Sequence, residues 1–197
     1  MDIDWRSTDH TASKMVKALK GDPINGYFDI KVAGKHRRFD QSNITEFVDR
    51  IPRALSRMII RHHDAPATIV PIPNSHVIAP NTADFKTRDL ANKIAAESGG
   101  RFTVSPALVF REVQQKSRAG GPRDPEHFEN AYRVVRDVKG PIILLDDVCT
   151  SGSHLIAAHR VLHRDSSPVI LASTFGRTTK EQHKEPIGIR EEEIDLT

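Results

Sequence analysis

Residues 141–162 read PIILLDDVCTSGSHLIAAHRVL, and this stretch decides the fold. Ile142, Ile143, Leu144 and Leu145 run without a polar break, as a parallel strand buried on both faces does. Asp146 and Asp147 follow, then the small-residue loop Cys149-Thr150-Ser151-Gly152-Ser153. Leu155, Ala158 and Leu162 recur at i, i+3 and i+7 and predict a helix. Strand, acid pair, small-residue loop and helix together build an anion site. Backbone N–H groups at the helix N-terminus face a phosphate, and Gly152 lets the backbone come close. The hydroxyls of Thr150, Ser151 and Ser153 add donors. The two carboxylates stand at the carboxyl end of the strand, where open α/β sheets bind ligands, and can accept hydrogen bonds from vicinal hydroxyls. A phosphate at one end and a diol at the other describe a ribose 5-phosphate. The same residues can also be read as an N-cap and a turn with no ligand. They form neither a Gly-x-x-x-x-Gly-Lys loop nor a Gly-x-Gly-x-x-Gly fingerprint.

LLDDVCTSGS resembles the phosphoribosyl pyrophosphate (PRPP) motif of the type I phosphoribosyltransferases: an apolar run, two acids, an apolar residue, any residue, Thr, Thr or Ser, and Gly. The resemblance implies an α/β fold with a parallel sheet flanked by helices. An N-terminal α+β extension (1–65), the core (66–177) and a polar tail (178–197) are the expected divisions.

The chain has 197 residues, 38% hydrophobic and 28% charged, with a formal net charge of +3. That balance suits a soluble domain with an anionic substrate and does not argue for nucleic acid by itself. The single cysteine, Cys149, excludes an intrachain disulfide and a multi-cysteine zinc site. It suits a reducing compartment, so a cytoplasmic location is expected. The opening MDIDWRSTDH has no apolar core, so no signal peptide is expected, and no apolar run is long enough to span a membrane.

In the first 65 residues, Met15, Val16 and Leu19 share a helical face, and Gly21-Asp22-Pro23 ends it. Tyr27–Val32 and His36–Phe39 read as a hairpin around Ala33-Gly34-Lys35. A helix capped by Ser42 or Asn43 carries Phe47, Ile51, Leu55, Met58 and Ile59, and Pro52 kinks or divides it. The basic residues here, among them Arg37, Arg38, Arg53 and Arg57, read as a solvated face or as a surface for nucleic acid or an acidic partner.

Thr68–Pro73 reads as the first buried core strand, Thr87–Ala96 as a helix ended by Gly99-Gly100, and Ala107–Phe110 as a second strand. Residues 111–129 are polar, rich in Gly and Pro, and contain Lys116, Arg118 and Arg123. That is too long for an idle connection; a mobile cationic loop that closes over a pyrophosphate is expected. Asn130–Val135 reads as a third strand, and Pro168–Phe175 as a further buried strand ended by Gly176. Ile187, Ile189 and Ile194 are candidate anchors for the tail. His159 and His163 share a helix face but lack a third zinc ligand nearby.

Val-Pro-Ile-Pro, the basic loop, Asn-Ala-Tyr-Arg-Val and Leu-Leu-Asp-Asp-Val together are similar to the ComF-like branch of the family, over about residues 68–175. By this resemblance, Asp146 and Asp147 hold the ribose hydroxyls, and Thr150, Ser151, Gly152, Ser153 and His154 hold the 5-phosphate. Asn74, Ser75 and His76, with Lys116, Arg118 and Arg123, meet the pyrophosphate. Mg²⁺ is expected to arrive chelated by PRPP, with no dedicated protein metal site. His154 departs from the family, which has Ser or Thr there. The helix dipole is expected to keep it neutral in the free protein. Thr150 stands where hypoxanthine-guanine enzymes have an acid, which argues against that base. The acceptor base is expected to be chosen by the first 65 residues or the tail. A homodimer is compatible with the resemblance, and nucleic acid is the less favoured partner. The alternative is a regulator, effector or DNA-uptake component that binds PRPP or a nucleotide without transfer. Hydrolysis, with water in place of the base, is a third reading.

Overall fold

The computed structural model describes residues 5–79, 83–115, 123–178 and 186–193. Its described residues fall into two compact units, divided between Ile51 and Pro52, with most of the tail grouped with the first unit.

In the first unit, helix α1 (Ser7–Lys20) ends at Gly21, whose φ of 76° is left-handed. Gly21 N donates to Ala18 O and Asp22 N to Lys17 O, satisfying the last carbonyls of the helix. Strands β1 (Tyr27–Val32) and β2 (Lys35–Asp40) pair antiparallel, with Val32 opposite Lys35. Ala33 and Gly34, at φ 51° and 80°, make the two-residue turn. Positive φ at both positions matches the right-handed twist of the strands. Helix α2 (Ile44–Val48) adds Phe47 to Phe28 and Phe39, and the three rings contact one another at centroid distances of 5.1–5.6 Å. Here the basic residues are partly engaged. Arg38 pairs with Asp29 at 3.1 Å and lies over the Tyr27 ring, and Arg37 pairs with Glu46 at 3.6 Å. In the tail, Ile189 is exposed rather than an anchor.

Pro52 divides the expected long helix. Helix α3 (Ile51–His62) starts afresh, with the proline in its first turn, where no intrahelical N–H is needed. It opens the second unit, which also contains β3 (Ala67–Pro71), α4 (Lys86–Ala96), β4 (Phe102–Val104), β5 (Leu108–Phe110), α5 (Pro125–Ala131), β6 (Tyr132–Val134), β7 (Ile142–Cys149), α6 (Ser153–Leu162) and β8 (Val169–Arg177). The fold is mixed α/β. A four-stranded sheet in the order β4-β3-β7-β8, parallel throughout, is flanked by α4 and α6. Central β3 and β7 carry the apolar runs, and Ile69, Val70 and Ile142 to Leu145 are essentially inaccessible to solvent.

Four expectations are corrected. Ala107–Phe110 and Asn130–Val135 do contain strands, β5 and β6, but not in the parallel sheet: they pair with each other, antiparallel, as a separate two-stranded sheet. The sheet edge is instead β4, whose three residues are too few to show a period. Residues 111–129 are not one loop. Asp124 caps α5 by accepting from Glu126 N at 3.2 Å, Pro125 takes the first turn, and Phe128 is buried. Lys116 and Arg118 lie outside the described residues. Finally, β8 is an edge strand that runs through Gly176 to Arg177, and along it only Ser173 is buried.

Candidate anion and ribose site

Strand β7 does not stop before its acids. Pairing with β8 continues past Asp146↔Thr174 to Val148↔Gly176 and Cys149↔Arg177, so Asp146 and Asp147 are held on a paired strand. Each carboxylate is aimed by its neighbour's backbone. Asp146 Oδ1 accepts from Asp147 N at 2.8 Å, and Asp147 Oδ1 accepts from Val148 N at 2.7 Å. Both carboxylates act on the same cluster at the head of α6: the charge of Asp146 is felt by Tyr132 and that of Asp147 by His154.

Gly152 caps α6 in the left-handed region, φ 84°, and its carbonyl accepts the first helical bond from Ile156 N at 2.9 Å. A Cβ there would meet nothing within 4 Å. Only Gly adopts this backbone without strain, and the space over it is open. Ser151 Oγ and Ser153 Oγ are 2.8 Å apart, and Ser153 Oγ donates to Arg123 O. Asp146, Thr150, Gly152, Ser153 and His154, with Val148, Cys149 and Leu155, line one small hollow open to solvent. Asp147 and Ser151 adjoin it in sequence. The turn after β3 is tied into the protein: Asn74 Oδ1 accepts from Lys86 N at 3.0 Å, Ser75 O accepts from Gln114 N at 2.7 Å, and His76 Nε2 lies 3.4 Å from Asp84 Oδ2. The Asn74 side chain thereby anchors the start of α4. Arg123 is exposed, and its carbonyl is what meets the loop.

His154 is neutral, but for a different reason from the one expected. Its ring stacks on Phe128 at 3.8 Å between centroids, and Nδ1 shares a hydrogen bond of 2.8 Å with Tyr132 Oη. Burial lowers its pKa to about 4, against the opposing pull of Asp147. The phenol of Tyr132 is pushed up by burial, then by Asp146, and stays protonated. With Nδ1 engaged, Nε2 is the atom with which His154 would meet a ligand. A pH effect follows. Between about 6.5 and about 4 the unfolded chain holds more protons at this residue than the folded one. Stability from His154 is therefore present above pH 6.5 and falls as pH drops toward 4, by on the order of 3 kcal/mol in all. His154→Gln, which keeps a partner for Tyr132, should flatten acid unfolding across that window; profiles that superimpose would refute the assignment.

Arg177, at the end of β8, is a site neighbour that carries no signal in the sequence. Its Nη1 donates to Cys149 Sγ and to Thr150 O, both at 2.8 Å, and fixes the start of the loop. Phe128 and Tyr132 were equally hidden, because they reach His154 only through the packing of α5 and the β5–β6 ribbon on α6. His159 and His163 have ring centroids 4.6 Å apart, and among the described residues no group of three or more His, Cys, Asp or Glu is placed to hold a metal ion. Nor is any described helix long and apolar enough to cross a membrane.

No family model matches the chain, and no curated protein matches it. Among solved structures it is similar to orotate phosphoribosyltransferase from Aeropyrum pernix, with 16% identity and a TM-score of 0.40 over 83% of this chain and 81% of that one. It is also similar to adenine phosphoribosyl transferase from Trypanosoma brucei, in complex with AMP, pyrophosphate and ribose-5-phosphate (13%, 0.42, over 89% of this chain and 70% of that one). A third is APRTase from Giardia lamblia complexed with 9-deazaadenine (13%, 0.42, over 91% and 100%). Likeness at this level says nothing about substrate, so the functional reading rests on the site.

Proposed function

We propose that the chain binds PRPP and transfers its ribose 5-phosphate to a nitrogenous acceptor, releasing pyrophosphate. The observation that carries this reading is the hollow in which the Asp146 carboxylate meets a left-handed Gly152 and the N-terminus of α6, with a second backbone-aimed carboxylate, Asp147, next to it in the strand. It is the arrangement that a ribose 5-phosphate needs, and it occurs on the residues whose pattern resembles the PRPP motif.

The 5-phosphate meets the first-turn N–H groups of α6 and the hydroxyl of Thr150, where the positive end of the helix favours an anion; the Ser153 hydroxyl, committed to Arg123 O, holds the loop in shape. Asp146 and Asp147 accept from the ribose hydroxyls. As the C1–O bond to pyrophosphate breaks, the oxygen keeps the electron pair and C1 takes on oxocarbenium character. The fixed carboxylates stabilise that positive charge without reorganising. The acceptor nitrogen supplies the electrons for the new C1–N bond and then loses its proton to the departing pyrophosphate or to water. Mg²⁺ enters as part of the substrate, chelated by its pyrophosphate. The turn 74–76, with Lys116, Arg118 and Arg123, would bind the leaving pyrophosphate.

The test is pyrophosphate release from Mg-PRPP, measured against a panel of purine, pyrimidine and amine acceptors and with none. Release that requires one acceptor supports transfer. Release without any acceptor supports hydrolysis, and binding with no release supports a PRPP-responsive regulator on the same site.

A further inference from the structure

The expected pyrophosphate turn and the 5-phosphate loop lie on different connections, yet a chain of hydrogen bonds joins them. Gln114 is buried, at 8% exposure. Its backbone N–H donates to Ser75 O at 2.7 Å, within the turn 74–76. The side-chain Nε2 donates to Glu112 O at 2.9 Å, which turns Oε1 toward His127 Nε2, also at 2.9 Å. That orientation makes Oε1 the acceptor, so His127 carries its proton on Nε2. His127 belongs to α5, and just before α5 the carbonyl of Arg123 accepts from Ser153 Oγ. Its ring also stands edge-on to Phe128 at 5.2 Å, and Phe128 stacks on His154. From Ser75 to Ser153, each link is a direct contact or one turn of helix.

We infer that Gln114 and His127 are positioning residues that hold the turn 74–76 at a fixed place relative to the loop 150–154. This rests on the proposed function, because a fixed separation matters only for a ligand with a phosphate at each end. Neither residue touches substrate. Gln114 without His127 would leave a buried acceptor unsatisfied, and it would recover by moving toward water and drawing Ser75 with it. A ligand spanning both subsites would then have to restore the spacing on binding, whereas a ligand using only the phosphate loop would not.

The experiment uses His127→Phe, which keeps the ring contact with Phe128 but has no donor, together with His127→Gln, which restores one, and Gln114→Leu. Amide hydrogen exchange of the ligand-free protein reads the strap without reference to any substrate. In His127→Phe, exchange at Gln114 and through 74–77 should accelerate about tenfold, with β7 unchanged, and His127→Gln should reverse most of it. Calorimetry then compares Mg-PRPP with ribose 5-phosphate: His127→Phe and Gln114→Leu should weaken Mg-PRPP roughly tenfold and ribose 5-phosphate less than twofold. Exchange at 74–77 that matches wild type, or equal losses for the two ligands, would overturn the strap. If wild-type protein binds neither ligand, the proposed function fails while the exchange result still decides whether the strap exists.

Discussion

Asp147→Asn should leave a folded protein with transferase activity lower by roughly 10²–10³-fold, the range seen when one preorganised charge-stabilising group is removed. The structure explains why fold and function separate here. Asp147 Oδ1 accepts from Val148 N, and an amide oxygen can keep that bond. The substitution therefore removes the negative charge without releasing the turn. Asp146→Asn should behave alike, since its Oδ1 accepts from Asp147 N in the same way. Thermal melting should shift little in either variant, while kcat/KM for Mg-PRPP collapses. Full activity in Asp147→Asn would remove the carboxylate from the reaction.

The second large effect concerns Gly152. Its φ of 84° costs a non-glycine residue about 1–2 kcal/mol, and no neighbouring atom would obstruct a Cβ in the free protein. Gly152→Ala should thus lose that modest stability and, because the Cβ occupies the space over the helix N-terminus, about a hundredfold in affinity for Mg-PRPP. Gly152→Asn separates the two causes. Asn tolerates the left-handed region, so most of the stability should return, while its side chain still fills the anion position. Affinity that recovers along with stability would show that the backbone, not the open space, is what Gly152 provides.

What the sequence made legible follows from the range of each signal. β7 and α6 announced themselves because an unbroken apolar run and a helical repeat adjoin within 22 residues of chain, 141–162. The acid pair and Gly152 sit at the junction, so the centre of the site was readable with them. The hairpin around Ala33-Gly34-Lys35 is readable for the same local reason, although the structure shortens its turn to Ala33-Gly34. β4 was not, since Phe102–Val104 is too short for any period, and its role as sheet edge comes only from pairing with β3. α5 was concealed by its polar surroundings, although Asp124-Pro125-Glu126 is a helix start and Phe128 the residue it buries. His154 was seen as a departure but not as the centre of an aromatic cluster, because Phe128, Tyr132 and Phe110 reach it through tertiary packing. Burial, which no local pattern reports, then outweighs the helix dipole as the cause of its neutrality. Arg177 closes the expected core at 66–177 with no local sign of a role, and strand register is what carries it back to Cys149.

Calorimetric titration of Mg-PRPP into the protein, alone and with saturating ribose 5-phosphate, decides whether the 146–154 segment binds PRPP. Saturable one-site binding is expected, which ribose 5-phosphate competes away and Gly152→Asn weakens about a hundredfold. Absence of binding, or binding that neither ribose 5-phosphate nor Gly152→Asn affects, would contradict a PRPP site at 146–154.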